Sequence, residues 1–170
     1  MEFIINTAEQ LNITDAELTN LLTTVYVDDE FVGRDEATTL FEASAVKERG
    51  LLIGARDTQD SKLAGLIIIV TADSPSCKMA KDNEAEIHLL AVSQLFRRQG
   101  LGKKLVEHAI NNVQKYNYSK IILWTQLSMN AAQCLYKKLG FVFTDKICRN
   151  ERDFLVFEMK LTSDNLKTAT

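Results

Sequence analysis

One stretch limits what this chain can fold into more than any other. Glu86-Ile87-His88-Leu89-Leu90-Ala91-Val92 reads as a buried strand, and four residues later comes Arg97-Arg98-Gln99-Gly100-Leu101-Gly102-Lys103-Lys104. A strand thus passes through a short loop into a helix whose first turn holds two glycines and is flanked by cations. Amides at a helix N-terminus have no internal partner, and the helix dipole favours negative charge there. Glycine lets a bulky anion approach the backbone. The stretch therefore predicts an anion site, with Arg97, Arg98, Lys103 and Lys104 adding positive charge. It is neither of two common phosphate motifs. Leu105 stands where a dinucleotide fingerprint needs its third glycine, and Arg97 stands at the first glycine of a P-loop.

The elements around this stretch follow from spacing. Phe3 to Asn6 predicts a first strand. Thr14-Asp15-Ala16-Glu17 has the form of a capping box, and Leu18, Leu21, Leu22 and Val25 follow at helical intervals, so a helix is expected from Asp15 to Tyr26. A second helix is expected from Asp35 to Glu48. Leu51 to Ala55 and Leu63 to Thr71 form a hairpin around a polar loop, and Asp73 to Ala85 is a loop. Leu101, Leu105, Ala109, Ile110 and Val113 mark a helical stripe. Ile121 to Thr125 is a strand, and Ser128 is expected to cap a helix that Gly140 terminates. Phe141 to Ile147 and Phe154 to Leu161 are the last strands. This order predicts an α/β (mixed α+β) fold with helices on both faces of one sheet. Residues 1–161 form its domain and the polar residues 162–170 a disordered tail.

A second informative stretch is Met129-Asn130-Ala131-Ala132-Gln133-Cys134-Leu135-Tyr136-Lys137-Lys138-Leu139-Gly140-Phe141. Together, R-x-x-G-x-G at Arg97 to Gly102 and A-x-x-L-Y-x-x-x-G-F at Ala132 to Phe141 resemble the GNAT superfamily of acetyl-CoA-dependent N-acetyltransferases. The element order agrees from about residue 3 to 161. Leu123-Trp124-Thr125-Gln126 with Met129 looks like a bacterial branch of that superfamily. The resemblance implies a mixed six- to seven-stranded sheet that splays beside the Glu86 strand, where a bulge frees backbone groups. It puts Leu90, Ala91 and Val92 against the pantetheine arm of acetyl-CoA. It puts the amides of Arg98, Gln99, Gly100, Leu101, Gly102 and Lys103, with Arg97 beside them, around the pyrophosphate.

The resemblance also implies catalytic roles. Tyr136 is placed near the sulfur as general acid, since an ordinary tyrosine is protonated at neutral pH. Glu86 stands where some members keep a general base, and His88 is an alternative or assisting base. Simple alternation puts Glu86, His88 and Leu90 on one strand face. One position departs from the pattern: the family's cofactor-contacting Asn is Met129 here. Asn130 is one residue late, so Gln126 is a candidate replacement. The reading is transfer of acetyl to a primary amine, favouring a small molecule, by direct attack in a ternary complex. A protein N-terminal or lysine acetyltransferase is the alternative within enzymes. Leu-Trp-Thr-Gln argues against it, because the N-terminal enzymes carry E-V-R there. A silent acyl-CoA-binding sensor is the alternative outside enzymes.

Composition excludes other classes. A net charge of −3 without a basic, aromatic-rich face argues against nucleic acid. The longest purely apolar run, Leu66 to Val70, is far too short to span a bilayer. Met-Glu-Phe-Ile-Ile-Asn has no basic leader character, so a cytoplasmic protein is expected. Cys77, Cys134 and Cys148 show no C-x-x-C spacing, and His88 and His108 lie far apart. Reduced thiols and no metal are expected, and a homodimer is left open. Cys134 and Trp124 are expected to be packing residues. The acidic run Asp28-Asp29-Glu30 is a candidate attractor for a cationic amine.

Overall fold

The computed structural model describes residues 2–161, so the expected tail at 162–170 lies outside the described residues. The chain runs β1 (Phe3–Thr7), α1 (Asp15–Asp28), α2 (Arg34–Leu40), α3 (Ala43–Lys47), β2 (Leu51–Asp57), β3 (Leu63–Thr71), β4 (Glu84–Val92), α4 (Leu101–Lys115), β5 (Lys120–Gln126), α5 (Asn130–Lys138), β6 (Val142–Arg149) and β7 (Arg152–Lys160). The strands form one seven-stranded sheet in the order β1-β2-β3-β4-β5-β7-β6. The β4–β5 pair is parallel and the other pairs are antiparallel.

Strand β3 is the spine. Its residues Ala64 to Val70 are all buried, because both faces of the sheet are covered. Ile67 and Ile69 join Leu101, Leu105, Ala109 and Val113 of α4 in one core. Leu66, Ile68 and Val70 join Leu18, Leu22 and Phe41 in a second core beneath α1 to α3. The capping box forms as the spacing predicts, with Thr14 and Glu17 bonded reciprocally. Glu17 also receives the Arg56 guanidinium at 2.6 Å, and that bond, against a smaller burial effect, holds its carboxyl down at about 2. Gly140 ends α5 at φ 96°, a left-handed conformation that suits glycine.

Two expectations about helices are corrected. The single helix from Asp35 to Glu48 is two short ones. Phe41 turns fully into the core between them, and the Glu42 carboxylate caps a new helix by accepting from the amides of Ser44 and Ala45. Ser128 does not cap α5. The residue before its first turn is Met129, which offers no side-chain cap.

Candidate active site

The sheet forks between β4 and β5. The two strands pair only from Glu84 opposite Lys120 to Ile87 opposite Leu123, yet β4 continues to Val92 and β5 to Gln126. On its other edge β4 stays bonded to β3, with a bulge: Ile68 faces His88 while Leu66 faces Ala91. The extra residue is accommodated at Leu89, which takes φ 50°. This resets the alternation. His88, Leu89 and Ala91 face the α1 side, whereas Ile87, Leu90 and Val92 face α4. The expectation that Leu90 shares a face with Glu86 and His88 is therefore corrected, and the bulge is the reason. The Leu90 carbonyl accepts a hydrogen bond from the Tyr26 hydroxyl of α1 at 3.1 Å.

Glu86 is completely buried. Its carboxylate accepts from the backbone amides of Lys78, at 3.0 Å, and of Ala80, at 2.7 Å, and from that of Met79. It also accepts from His88 Nε2 at 2.7 Å. Burial alone would raise its pKa. The bond from His88 and the three amide bonds together outweigh burial and hold it at about 2. Such a carboxylate is a poor proton acceptor but a strong anchor. It ties the 77–80 loop to β4 and fixes the imidazole. With Nε2–H given to Glu86, a neutral His88 carries its lone pair on Nδ1. Trp124 packs edge-on against the same ring at a centroid distance of 4.8 Å.

The α4 start forms as the glycines predict. Gly100 precedes the helix at φ 77° with no neighbour near a would-be Cβ, and the first ladder bond runs from the Lys104 amide to the Gly100 carbonyl. The amides of Leu101, Gly102 and Lys103 therefore have no intrahelical acceptor. The expected cationic side chains are largely engaged elsewhere. Arg97 donates to Asp29 at 2.5 Å and to the Val92 carbonyl at 3.2 Å. Lys103 lies 3.6 Å from Glu107, and Lys104 sits over the Phe3 ring. Arg98 and Gln99 are exposed. An anion here would meet backbone more than side chains. A long ligand with an amide-bearing arm and a phosphate end fits the unpaired β4 edge followed by this helix start.

Tyr136 of α5 is buried against Phe141 and Phe157. Burial pushes its phenol above the ordinary value, and the neighbouring Tyr26 adds to that. It therefore stays protonated. Asn130 is exposed on the first turn of α5. Gln126 donates to the Phe31 carbonyl at 2.9 Å, so its amide nitrogen anchors the segment after α1.

A cavity of about 470 Å³ opens on the α1 side of the fork, with His88, Leu89, Trp124, Thr125 and Tyr26 in its wall. Trp124 is a half-buried wall residue, not the core residue expected, and Arg149 stacks over it at 5.3 Å. The Thr125 hydroxyl is buried without a hydrogen-bond partner. The charged residues of the wall are Arg49, Lys78, Arg149, Arg152 and Glu36. Arg152 and Glu36 form a two-pronged pair at 2.6 and 2.9 Å. Asp28, Asp29 and Glu30 are not in the wall, which corrects the expectation of an acidic attractor. Cys134 is exposed, not packed.

Tyr26, Thr125, Arg49 and Arg149 escaped the sequence reading. They lie on four separate elements or loops, and no local spacing joins them. Among the described residues no group of three or more His, Cys, Asp or Glu side chains could hold a metal ion, and no helix is long and apolar enough to cross a membrane.

Residues 15–141 match the acetyltransferase (GNAT) family. The chain is 32% identical over 101 residues to N-alpha-acetyltransferase 30 of Saccharomyces cerevisiae, covering 55% of this chain and 57% of that protein. It is 39% identical over 59 residues to the ribosomal protein bS18–alanine N-acetyltransferase of Escherichia coli, covering 35% of this chain and 40% of that one. The matched stretches thus span about half the length of these curated relatives. Among solved structures, a Bacillus subtilis acetyltransferase in complex with CoA has a TM-score of 0.69 at 23% identity, covering 95% of this chain and all of that one.

Proposed function

The chain belongs to the GNAT acetyltransferase family, and on that premise we propose that it moves an acetyl group from acetyl-CoA to the nitrogen of a small primary amine by direct attack in a ternary complex. The observation that carries this reading is the fork. One strand presents His88, held from behind by the buried Glu86, to a cavity and then, beyond the bulge, has an edge that no strand pairs, leading to the bare amides of α4. Donor and acceptor can thus meet without an enzyme-bound acyl intermediate.

In this reading Glu86 is a positioning residue and His88 the base. An aliphatic amine is almost wholly protonated at pH 7 and attacks only when neutral. His88, through Nδ1, takes the proton that the nitrogen must lose. The nitrogen bonds to the thioester carbonyl carbon, and the carbon–sulfur bond breaks. Tyr136 gives its proton to the departing sulfur. A free amide of the Leu90–Val92 edge stabilises the oxyanion. The amides from Arg98 to Lys103 hold the pyrophosphate, and Leu90, Ala91 and Val92 flank the pantetheine arm.

Acetylation of a protein N-terminus is the second reading, supported by the names of the yeast and Escherichia coli relatives. Calorimetric titration with acetyl-CoA and CoA, followed by thiol release with small amines and with N-terminal peptides, separates the readings. Micromolar binding and turnover of small amines is the expected result. Turnover confined to peptides selects the second reading. Binding without any turnover leaves a silent acyl-CoA-binding domain.

A further inference from the structure

The wall of the cavity beside His88 holds four cations and a single carboxylate, Glu36, which is already bound by Arg152. Arg49, Lys78 and Arg149 make no ion pair among the described residues. Arg49 is the most enclosed of these. It leaves the chain between α3 and β2 and gives one nitrogen to the Leu40 carbonyl at 2.8 Å. Burial works against its charge. A half-buried guanidinium with no counter-ion is costly unless something anionic arrives with the ligand. Arginine's planar fork suits a carboxylate held by two parallel bonds. The Thr125 hydroxyl, buried without a partner, is a further polar group of the same wall. Its volume of about 470 Å³ suits a small molecule.

We propose that the acceptor is an amino-acid-sized primary amine that also carries a carboxylate, held by the unpaired cations of the cavity, Arg49 foremost, with its nitrogen turned to His88. This rests on the acetyl-transfer reading above and names the substrate class for it. The sign of the wall also works against diamines and polyamines, whose second ammonium meets Arg49, Lys78 and Arg149 with no free carboxylate to receive it.

The test uses acceptors that differ only in the charge. Thiol release from acetyl-CoA is followed with a panel of amino acids, with the matching amino acid amides, and with aliphatic diamines. The acids should exceed their amides in kcat/KM by about thirtyfold, the range expected for one charge-assisted pair. Arg49→Gln should bring the two classes to within about threefold of each other, and Arg49→Lys should restore part of the gap. Arg149→Gln, at the hairpin end of β6 beside the turn into β7, gives a second reading that does not depend on Arg49→Gln folding. Equal rates for acids and amides, a preference for diamines, or turnover confined to peptide N-termini overturns the anionic small acceptor while leaving acetyl transfer standing. No turnover of any amine by protein that binds acetyl-CoA overturns the transfer reading, and this inference with it.

Discussion

The molecule has two cationic regions, and they are built in opposite ways. At the start of α4 the sequence shows four cations around two glycines, yet three of these side chains turn to Asp29, Glu107 and Phe3. What remains facing outward is backbone and one exposed cation, Arg98. In the cavity the sequence shows no motif at all, yet Arg49 and Arg149 converge there without a carboxylate partner. In the reading proposed above, the first region meets the pyrophosphate of acetyl-CoA, and a backbone site changes little when side chains change. In the same reading, the second meets the acceptor, and side chains carry it. Charge seen in a sequence is thus a poor guide to charge available to a ligand. What decides is which side chains already have partners.

The sharpest way to break this contrast is Gly102→Asp. A Cβ at Gly102 meets only ordinary contacts, Leu135 at 3.4 Å and Val92 at 3.7 Å. An acid in the first turn of a helix is tolerated or helpful to the fold. The variant should keep its melting temperature and lose about a thousandfold in CoA affinity, ~4 kcal/mol, by calorimetry. Unchanged CoA binding would show that the anion lies elsewhere.

Glu86→Gln tests the buried anchor that holds His88 at the cavity wall. Its amide nitrogen would face backbone N–H donors, so stability should fall by about 3 kcal/mol in denaturant titration. The same carboxylate sets an acid limit. Its folded pKa of about 2 lies below the ordinary 4.5, so its contribution is complete above about pH 4.5 and fades as pH falls toward 2. The variant should lack that part of the acid transition.

Tyr136→Phe tests the proposed acid, which lies in neither region but in the core on the α4 side. It should lower kcat by about a hundredfold while CoA affinity stays within about threefold. A matching loss of affinity would make Tyr136 a packing residue only. The smallest effect sharpens the contrast from the other side. Arg97→Gln removes a cation of the α4 start, but an exposed pair to Asp29 is worth under about 1 kcal/mol. CoA affinity should change by no more than about threefold.

Local signals were read well from sequence. The Thr14–Glu17 box, the α4 stripe and the Gly140 terminator each depend on residues within a few positions of one another, and each stands where the spacing predicts. The break at Phe41 and Glu42 was hidden, because Ala37, Leu40, Phe41 and Ala45 imitate one continuous helical face. The bulge was implied by the family resemblance but not its site: Leu89 carries no mark of a left-handed conformation, and a single extra residue turned Leu90 away from His88. The cavity was illegible for a third reason. Arg49, Thr125 and Arg149 are brought together only by the sheet order, and no window of sequence contains them.

The fork between β4 and β5 has a consequence for how this fold can change. Residues 88–92 and 124–126 hold hydrogen-bonding groups that a straightened sheet could pair with one another, each new rung adding about 1 kcal/mol. The molecule is less stable than its own topology permits, and the shortfall sits where an extended ligand would lie. Selection for heat resistance alone would favour closing the gap, and each rung closed would remove a binding surface. If the ligand lies in the fork as proposed, thermal robustness and turnover compete at these few residues, so stabilising substitutions that preserve activity belong in the two cores and on the outer strands.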